Sequence, residues 1–392
     1  MAGSCVPKGT KALAAFVPRG AAARRLAVQG VGRSSCLAGL SIAYALTLSA
    51  ATLAGHTLAA PLDALQESGP HAAPRSGFVE MSLDRMNDRL DLFNLRPDWA
   101  AGVDNFGNLS GWRLRGGYGF TDRAWLEAGL FGRSIQYGSL EPRLSGWQIT
   151  GQWRLLRSDP LLNSADISLR ASTWGNSTDT VSRNNTSLGG VTLDSVSVTN
   201  PRDRQWQLGP VISWPLGDAV FSVFGSAGRG QVSVERISAR LGDRTLNWSG
   251  GQFDLDGRSL GNLGQNLARS LGLDDELATV NYSFRFLSTG VGLRYPAGNW
   301  QLRGGYEYVT IRRDEIDSVI AARDTDNITY SANHTLVGEV AYRFSRVAYV
   351  FVRGQAMSNQ FLAEVPFLYN GLTARRFDAR YGLLTTGLVF GF

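Results

Sequence analysis

Two histidines are the candidates for acid–base or nucleophilic chemistry beyond residue 60. His71 lies in a predicted lead-in, and His334 lies in the stretch Ser-Ala-Asn-His-Thr. A catalytic histidine needs a hydroxyl or carboxylate partner within hydrogen-bonding reach. Leu336 occupies the position two residues after His334, which shares its face of an extended strand. We therefore expect a non-catalytic histidine at the end of a strand, and no enzyme activity.

A second candidate is the stretch Asp254-Leu255-Asp256-Gly257, which resembles a fragment of a calcium-binding loop. Such a loop needs further oxygen ligands at fixed later positions, and this sequence lacks them. The stretch is therefore interpreted as a turn, and we expect neither a metal site nor a cofactor.

Charged side chains recur at every second position of several segments. They alternate with apolar residues, as where Arg113 and Arg115 lie between Trp112, Leu114 and Gly116. Charges on one face of a sheet can guide polar solutes, or they can pair as Arg–carboxylate forks that fill an interior. We favour the first interpretation, although the balanced charge predicts weak selectivity and leaves the second open. The residues assigned to this set are Arg113, Arg115, Glu127, Arg154, Arg170, Arg303, Glu307, Glu339, Arg343 and Arg353.

The segments that carry these residues alternate with period 2, which indicates strands. A soluble β-sandwich also alternates, but here the apolar faces have aromatic residues at their ends and the other faces have charges of both signs. That pattern is typical of a transmembrane β-barrel, which is apolar outside and polar inside. The predicted strands lie near 78–86, 110–120, 124–136, 145–156, 165–174, 204–214, 218–231, 281–295, 299–312, 332–344, 346–358 and 379–392.

The connections between these strands alternate between short turns and long loops. Short turns on the periplasmic side and long loops outside are typical of outer-membrane barrels. The fold class is therefore an all-β, antiparallel up-and-down barrel of about twelve strands with both termini in the periplasm. Fourteen is the alternative, because 191–198 and 231–237 also alternate and could be an extra strand pair or ribbons above the membrane. The longest loop, 232–280, could fold inward as a constriction, with a short helix within 262–277.

Residues 1–60 carry six basic residues and no acidic ones, which accounts for the whole net charge of +6. Arginines precede an apolar run and then small residues, the order of a secretory signal peptide. An uncleaved membrane anchor is the alternative interpretation. We predict a signal peptide at 1–59, a periplasmic lead-in at 60–77 and a barrel at 78–392. Cys5 and Cys36 are the two cysteines of the sequence, so the exported chain would have no thiol. Its charges balance, which argues against a nucleic-acid partner.

The last strand places Leu384, Thr386, Leu388, Phe390 and Phe392 on one face. This pattern resembles the C-terminal signature of Gram-negative outer-membrane β-barrel proteins. The resemblance implies that the barrel-assembly machinery reads Phe390 and Phe392 as an assembly signal. It also implies periplasmic chaperones and outer-membrane lipid as partners, and the bacterial outer membrane as location.

Within this family, we predict a porin-like channel for passive passage of small polar solutes. One alternative is a structural or adhesive barrel that acts through its extracellular loops. A lipid hydrolase is a further alternative, but outer-membrane phospholipases pair a strand histidine with a serine two positions on, where this sequence has Leu336. The sequence leaves no passenger for an autotransporter and no plug domain for a TonB-type receptor.

Overall fold

The structure is a computed structural model that describes residues 64–68, 74–86, 106–137, 142–157, 165–188, 191–270, 277, 279–314, 316–321, 331–358, 365–368 and 381–392. The predicted signal peptide and His71 lie outside the described residues.

Twelve antiparallel strands form one closed barrel in which each strand pairs with the barrel strands before and after it in the sequence. The first and last strands close the ring, in register from Phe78↔Gly391 to Arg85↔Leu384. The predicted fold class and the count of twelve are confirmed. The barrel strands are β1 (Gly77–Met86), β2 (Phe106–Gly119), β3 (Ala124–Tyr137), β4 (Arg143–Leu156), β5 (Asp166–Thr178), β8 (Arg202–Leu216), β9 (Ala219–Ser233), β14 (Tyr282–Ala297), β15 (Trp300–Arg313), β16 (Ala332–Arg343), β17 (Ala348–Met357) and β18 (Tyr381–Gly391).

Polar and apolar faces are inverted relative to a soluble protein. On β1, Leu83 is 64% exposed, whereas its neighbours Ser82 and Asp84 are 5% and 2% exposed. Successive side chains of a strand point to opposite faces, so the apolar set faces outward and the polar set faces the lumen. An outer face of this kind is stable against hydrocarbon, and closure leaves no unpaired sheet edge there. The exposed outer set includes Val79, Met81, Leu114, Leu126, Leu130, Ile149, Leu169, Leu208, Leu287, Val291, Leu293, Leu336, Val350 and Val352.

Several aromatic side chains face outward at the end of the barrel where strands are joined by short turns, the short-turn end. The rings of Tyr118 and Phe120 meet edge to face with centroids 5.2 Å apart, and those of Trp300 and Tyr342 are 4.7 Å apart. Aromatic residues with an apolar body and a polar tip suit the boundary between lipid and water. These aromatic residues form part of the outer surface at the short-turn end.

A second sheet lies outside the barrel ring and is built from two of the long connections. It has six strands in the order β13-β12-β11-β10-β7-β6. No helix in the described part of the chain is long and apolar enough to cross a membrane. The elements are β6 (Val181–Leu188), β7 (Val191–Thr199), β10 (Arg236–Leu241), β11 (Arg244–Ser249), β12 (Gln252–Leu255), β13 (Arg258–Ser259), and the helices α1 (Asn262–Ser270) and α2 (Ile316–Ala321).

This second sheet decides between the alternatives for the extra alternating segments. Residues 191–198 belong to β7 of the outer sheet, and 231–237 divide between barrel strand β9 and outer strand β10. They add no strand pair to the barrel, so fourteen strands is wrong. The sheet has its own apolar cluster around Trp248 and Phe253, to which Ala268 of α1 contributes. The longest loop therefore folds largely as a separate layer.

Within 254–257, Asp256 and Gly257 form the two-residue turn that joins β12 to β13. Asp256 and Gly257 have φ of 50° and 81°, and the backbone amide of Gly257 donates to the Asp254 side chain at 2.9 Å. Two central residues with positive φ are what a tight hairpin turn requires. Asp256 also accepts from Arg244 Nη1 at 2.8 Å and from the Thr245 backbone amide at 2.8 Å.

The hydrogen bond from Arg244 is the main cause that lowers the pKa of Asp256 in this hairpin. A carboxyl whose pKa is lowered by folding stabilises the fold above its unfolded pKa, about 3.9, and this stabilisation is lost as pH falls below it. We expect the Thr245 amide to exchange faster with deuterium at pH 3 than its neighbours do, after correction for the intrinsic rate. Asp256→Asn should remove this pH dependence. Equal corrected rates at pH 3 and pH 6 would contradict the prediction.

Candidate functional site

The lumen is the candidate site, because it collects buried charged residues from most of the barrel strands. The side chains of Arg113, Arg115, Glu127, Arg154, Arg170, Arg303, Glu307, Glu339 and Arg353 are each no more than 7% exposed. Arg343 differs, since it is partly exposed near the short-turn end of β16. Phe390 and Phe392, which carry the predicted assembly signal, lie on the outer surface with 44% and 72% exposure.

Asp84 is the centre of one ionic cluster at the seam of the barrel. Its carboxylate lies 3.2 Å from Arg133 Nη2 and 3.8 Å from Arg113 Nη2, and it accepts a 2.7 Å hydrogen bond from Thr385 Oγ1. These four residues belong to β1, β2, β3 and β18. A buried charge is stable only when it is paired and hydrogen-bonded, so this cluster fixes the register of the closing strands.

Further Arg–carboxylate pairs continue around the lumen. Arg115 Nη2 lies 2.7 Å from Glu80, and Arg353 Nη2 lies 2.8 Å from Glu339. Glu339 is shared, because Arg303 Nη1 also approaches it at 3.7 Å. Each pair joins two neighbouring strands across the inner face. The sequence placed these residue types on one face, and the structure shows which of them meet.

A segment that precedes the barrel in sequence lies inside it. Residues 64–68, which we call the inner segment, are almost completely buried, with Ala64 and Ser68 at 0% exposure. They belong to the predicted lead-in. Their main-chain groups are held by lumen side chains: Arg303 Nη2 donates to the Leu65 carbonyl at 2.7 Å, and Gln152 Nε2 donates to the Glu67 carbonyl at 2.8 Å.

Two serines bind the C-terminal end of the inner segment, at Ser68. Ser168 donates to the Ser68 carbonyl, and the Ser68 amide donates to Ser213 Oγ at 2.9 Å. Both serines lie near the short-turn ends of their strands, β5 and β8. The segment therefore occupies the half of the lumen closest to the short turns.

The single charge of the inner segment is clamped by two arginines. Glu67 lies 2.9 Å from Arg294 Nε and 3.6 Å from Arg303 Nη2. Glycines on the same strands leave room for the backbone: Gly292 of β14 pairs with Gly305 of β15, and a Cβ at Gly305 would meet the Ala64 carbonyl. The barrel at this level is thus shaped around an extended chain.

The end of the lumen beneath the long loops is apolar. Residues 365–368, which we call the cap, contain a short 3-10 turn whose Phe367 joins inward residues such as Trp174, Phe284 and Phe286 in one buried cluster. Tyr282 Oη donates to the Pro366 carbonyl at 2.7 Å. The Asp203 carboxylate accepts hydrogen bonds from Asn176 and from the Phe367 backbone. The cap therefore packs against the inner wall at this end of the lumen.

Phe367→Ala should release the cap. Loss of a buried phenylalanine costs about 3–5 kcal/mol in a packed core, and Phe367 is the residue by which the cap joins the buried cluster. We expect at least tenfold faster deuterium exchange at the Leu368 amide, which bonds to the Val365 carbonyl at 3.1 Å. Leu263→Ala, at a residue that is 74% exposed, is the control. Unchanged exchange in Phe367→Ala would refute the packing role.

His334 faces outward from β16, away from the lumen network. Its Nδ1 lies 2.7 Å from Tyr306 Oη, and its ring centroid is 4.9 Å from that of Tyr308. Ser358 Oγ meets the backbone amide of His334, at 2.9 Å, and not its ring. Leu336, at the position discussed above, is 50% exposed. The contacts of the ring are those of an aromatic band on the outer surface.

The inner segment and the cap were missed by the sequence analysis. Ala-Leu-Gln-Glu-Ser at 64–68 has no alternation, and its contacts run mostly through the main chain, which leaves no side-chain pattern. Arg294 was also missed, because an arginine near a strand end gives no sign of its partner. One signal was available: inward positions on adjacent strands held by glycine, as at Gly292 and Gly305, indicate room for something other than side chains.

Comparison with known proteins gives no family: no family profile and no curated protein matches the chain. Solved structures do match at low identity. The translocator domain of the autotransporter NalP from Neisseria meningitidis is 11% identical, with 83% of this chain and 90% of that chain covered and a TM-score of 0.45. An outer membrane channel from Pseudomonas putida F1 is 9% identical, with 86% and 100% covered and a TM-score of 0.39. Outer membrane phospholipase A from Escherichia coli is 8% identical, with 81% and 91% covered and a TM-score of 0.31.

The architecture is therefore established by the features of this chain. It has a closed ring of twelve antiparallel strands, an apolar outer belt with an aromatic girdle, and a charged lumen. These features together are those of a transmembrane barrel. The chain is an outer-membrane-type β-barrel protein, with no narrower family identified.

Proposed function

We propose that this chain is a channel of the bacterial outer membrane for small polar solutes, closed in the present form by its own inner segment. The observation that carries the proposal is the place of residues 64–68. A barrel filled only by side chains has no space for a further stretch of backbone, yet this lumen encloses five residues of the chain that precedes β1. Withdrawal of that segment would free the half of the lumen nearest the short turns, which is lined by Gln152, Ser168, Ser213 and Arg303. Full passage would also require the cap to move aside.

The chemistry of this lining supports polar solutes as cargo. The side chains that hold the inner segment donate or accept hydrogen bonds that water or a hydroxylated solute can replace. Several charges elsewhere in the lumen are paired, as between Arg115 and Glu80 and between Arg353 and Glu339, which reduces the net field. We therefore propose weak selectivity among ions and passage by diffusion, with the short-turn end in the periplasm.

The proposal is tested by conductance in planar bilayers of residues 60–392, refolded in detergent. We expect rare openings of the unmodified chain. Glu67→Gln should raise the open fraction about tenfold, because it removes a charge-assisted clamp on the inner segment. Arg244→Gln, which breaks an exposed pair in the outer sheet, is the matched control. Well-folded protein that conducts in neither form would overturn the channel.

A second candidate function rests on the outer sheet. Six strands with an apolar cluster of their own form a rigid layer beyond the barrel ring. A layer of this kind could present a binding surface for another cell or molecule, and the barrel would then serve as its anchor. Loss of cell adhesion on deletion of 181–199 together with 236–270, with the barrel intact, would favour this function over the channel.

A further inference from the structure

The lumen residues that contact the inner segment, which we call its seat, have the features of a binding site as well as those of a blocked channel. Three of its side chains donate hydrogen bonds to backbone carbonyls along the segment: Arg303 to Leu65, Gln152 to Glu67 and Ser168 to Ser68. Main-chain contacts of this kind fit any extended peptide, whatever its side chains. These main-chain contacts therefore do not select among side chains, and charge is recognised at one position of the segment.

That position is Glu67. Its carboxylate meets Arg294 Nε at 2.9 Å and Arg303 Nη2 at 3.6 Å, in surroundings where the Arg303 side chain is only 2% exposed. Arginine pairs with carboxylates strongly because its planar donors match the two oxygens, and burial strengthens the pairing. Arg303 also donates to the Leu65 carbonyl, so this one side chain contacts both the backbone and the acidic group of the segment.

The space for the inner segment is provided by glycines in the barrel wall. Gly292 and Gly305 face each other on β14 and β15, and both lie against the backbone of the inner segment. Val211, Phe224 and Val337 pack around Ala64 and Leu65 as an apolar end to the seat. The seat therefore combines an apolar end, backbone donors and a carboxylate clamp.

We propose that this seat is a binding site for short acidic peptides, with the inner segment as its built-in competitor. The proposal rests on the channel function only in that it names a class of solute the channel would admit; binding itself does not require conductance. A peptide with an apolar residue followed, two positions later, by an acidic one would take the places of Leu65 and Glu67.

The test is calorimetric titration of residues 60–392 in detergent with the acetylated and amidated peptide Ala-Leu-Gln-Glu-Ser. Glu67→Gln should bind this peptide about tenfold more tightly than the unmodified chain, because the internal competitor is weakened. The same peptide with glutamine in place of glutamate should bind the Glu67→Gln chain at least tenfold more weakly. This second comparison uses one protein and needs no change in the barrel wall.

Two further variants locate the site. Arg294→Gln in the Glu67→Gln background should abolish the preference for the acidic peptide, and Arg294→Lys should retain part of it. Arg244→Gln should change nothing, since its partner Asp256 lies in the outer sheet. Equal binding of the two peptides, or free glutamate as effective as the peptide, would overturn the proposal. Tight acidic-peptide binding without conductance would uphold the site and reject the channel.

Discussion

Gly305→Ala is expected to expel the inner segment from the lumen. The added Cβ would fall against the Ala64 carbonyl oxygen and within 2.6 Å of its carbonyl carbon, contacts with main-chain atoms that cannot rotate away. Overpacking of this kind costs about 1–3 kcal/mol, which corresponds to a population shift of roughly fivefold to more than a hundredfold. The barrel strand itself should tolerate alanine, because its own hydrogen bonds are unaffected.

Thiol labelling measures this shift directly. The sequence beyond residue 36 has no cysteine, so Ala64→Cys introduces the single thiol of residues 60–392. We expect maleimide to react slowly with Cys introduced at this fully buried position, and at least tenfold faster when Gly305→Ala is added. The control is Gly304→Ala on the same strand, whose Cβ would point outward with the nearest atom at 4.0 Å. Equal labelling rates in the two glycine variants would show that Gly305→Ala does not expel the inner segment.

Asp84→Asn is expected to give the largest loss of stability. The carboxylate is 2% exposed and lies among Arg133, Arg113 and Thr385 of three other strands. Its neutralisation leaves two buried guanidinium groups near each other without this countercharge. Removal of one partner from a buried ion pair typically costs about 3–5 kcal/mol, and here the affected strands include the seam.

The change in stability is measured by urea unfolding in detergent micelles, with heat modifiability on gels as the readout of the folded fraction. The midpoint for Asp84→Asn should fall well below that of the unmodified chain. Asp256→Asn, the same chemical change in an exposed hairpin, should leave the midpoint unchanged. A midpoint for Asp84→Asn equal to that of Asp256→Asn would mean that the seam does not depend on this cluster.

The sequence predicted the barrel well for a physical reason. Lipid outside and a polar lumen inside fix the polarity of every second residue of a strand. The residue types of Leu83 and Asp84 therefore predict that Leu83 faces lipid and Asp84 faces the lumen, without any knowledge of their neighbours in space. Strand count followed from the turns, and the outer ribbons were correctly left as an alternative to extra strands. These features are local, and local patterns are visible in one sequence.

The contents of the lumen were less predictable, because they depend on contacts between distant residues. Glu67 and Arg303 are far apart in sequence, and nothing in Ala-Leu-Gln-Glu-Ser marks it as an interior segment. Phe367 lies in a long connection where apolar residues have no period. Pairing of Glu339 with both Arg303 and Arg353 likewise depends on strand register, which sets which charges of a polar face meet.

The ring closes through its first and last strands, with Asp84 bonded to Thr385 across 301 positions of the chain. A ribosome must therefore finish almost the entire polypeptide before either edge of the sheet can be satisfied. A translation product that ends before β18 would carry two unpaired edges, which hydrocarbon does not accept. We therefore expect a truncated copy not to insert stably into a bilayer, because the seam cannot form.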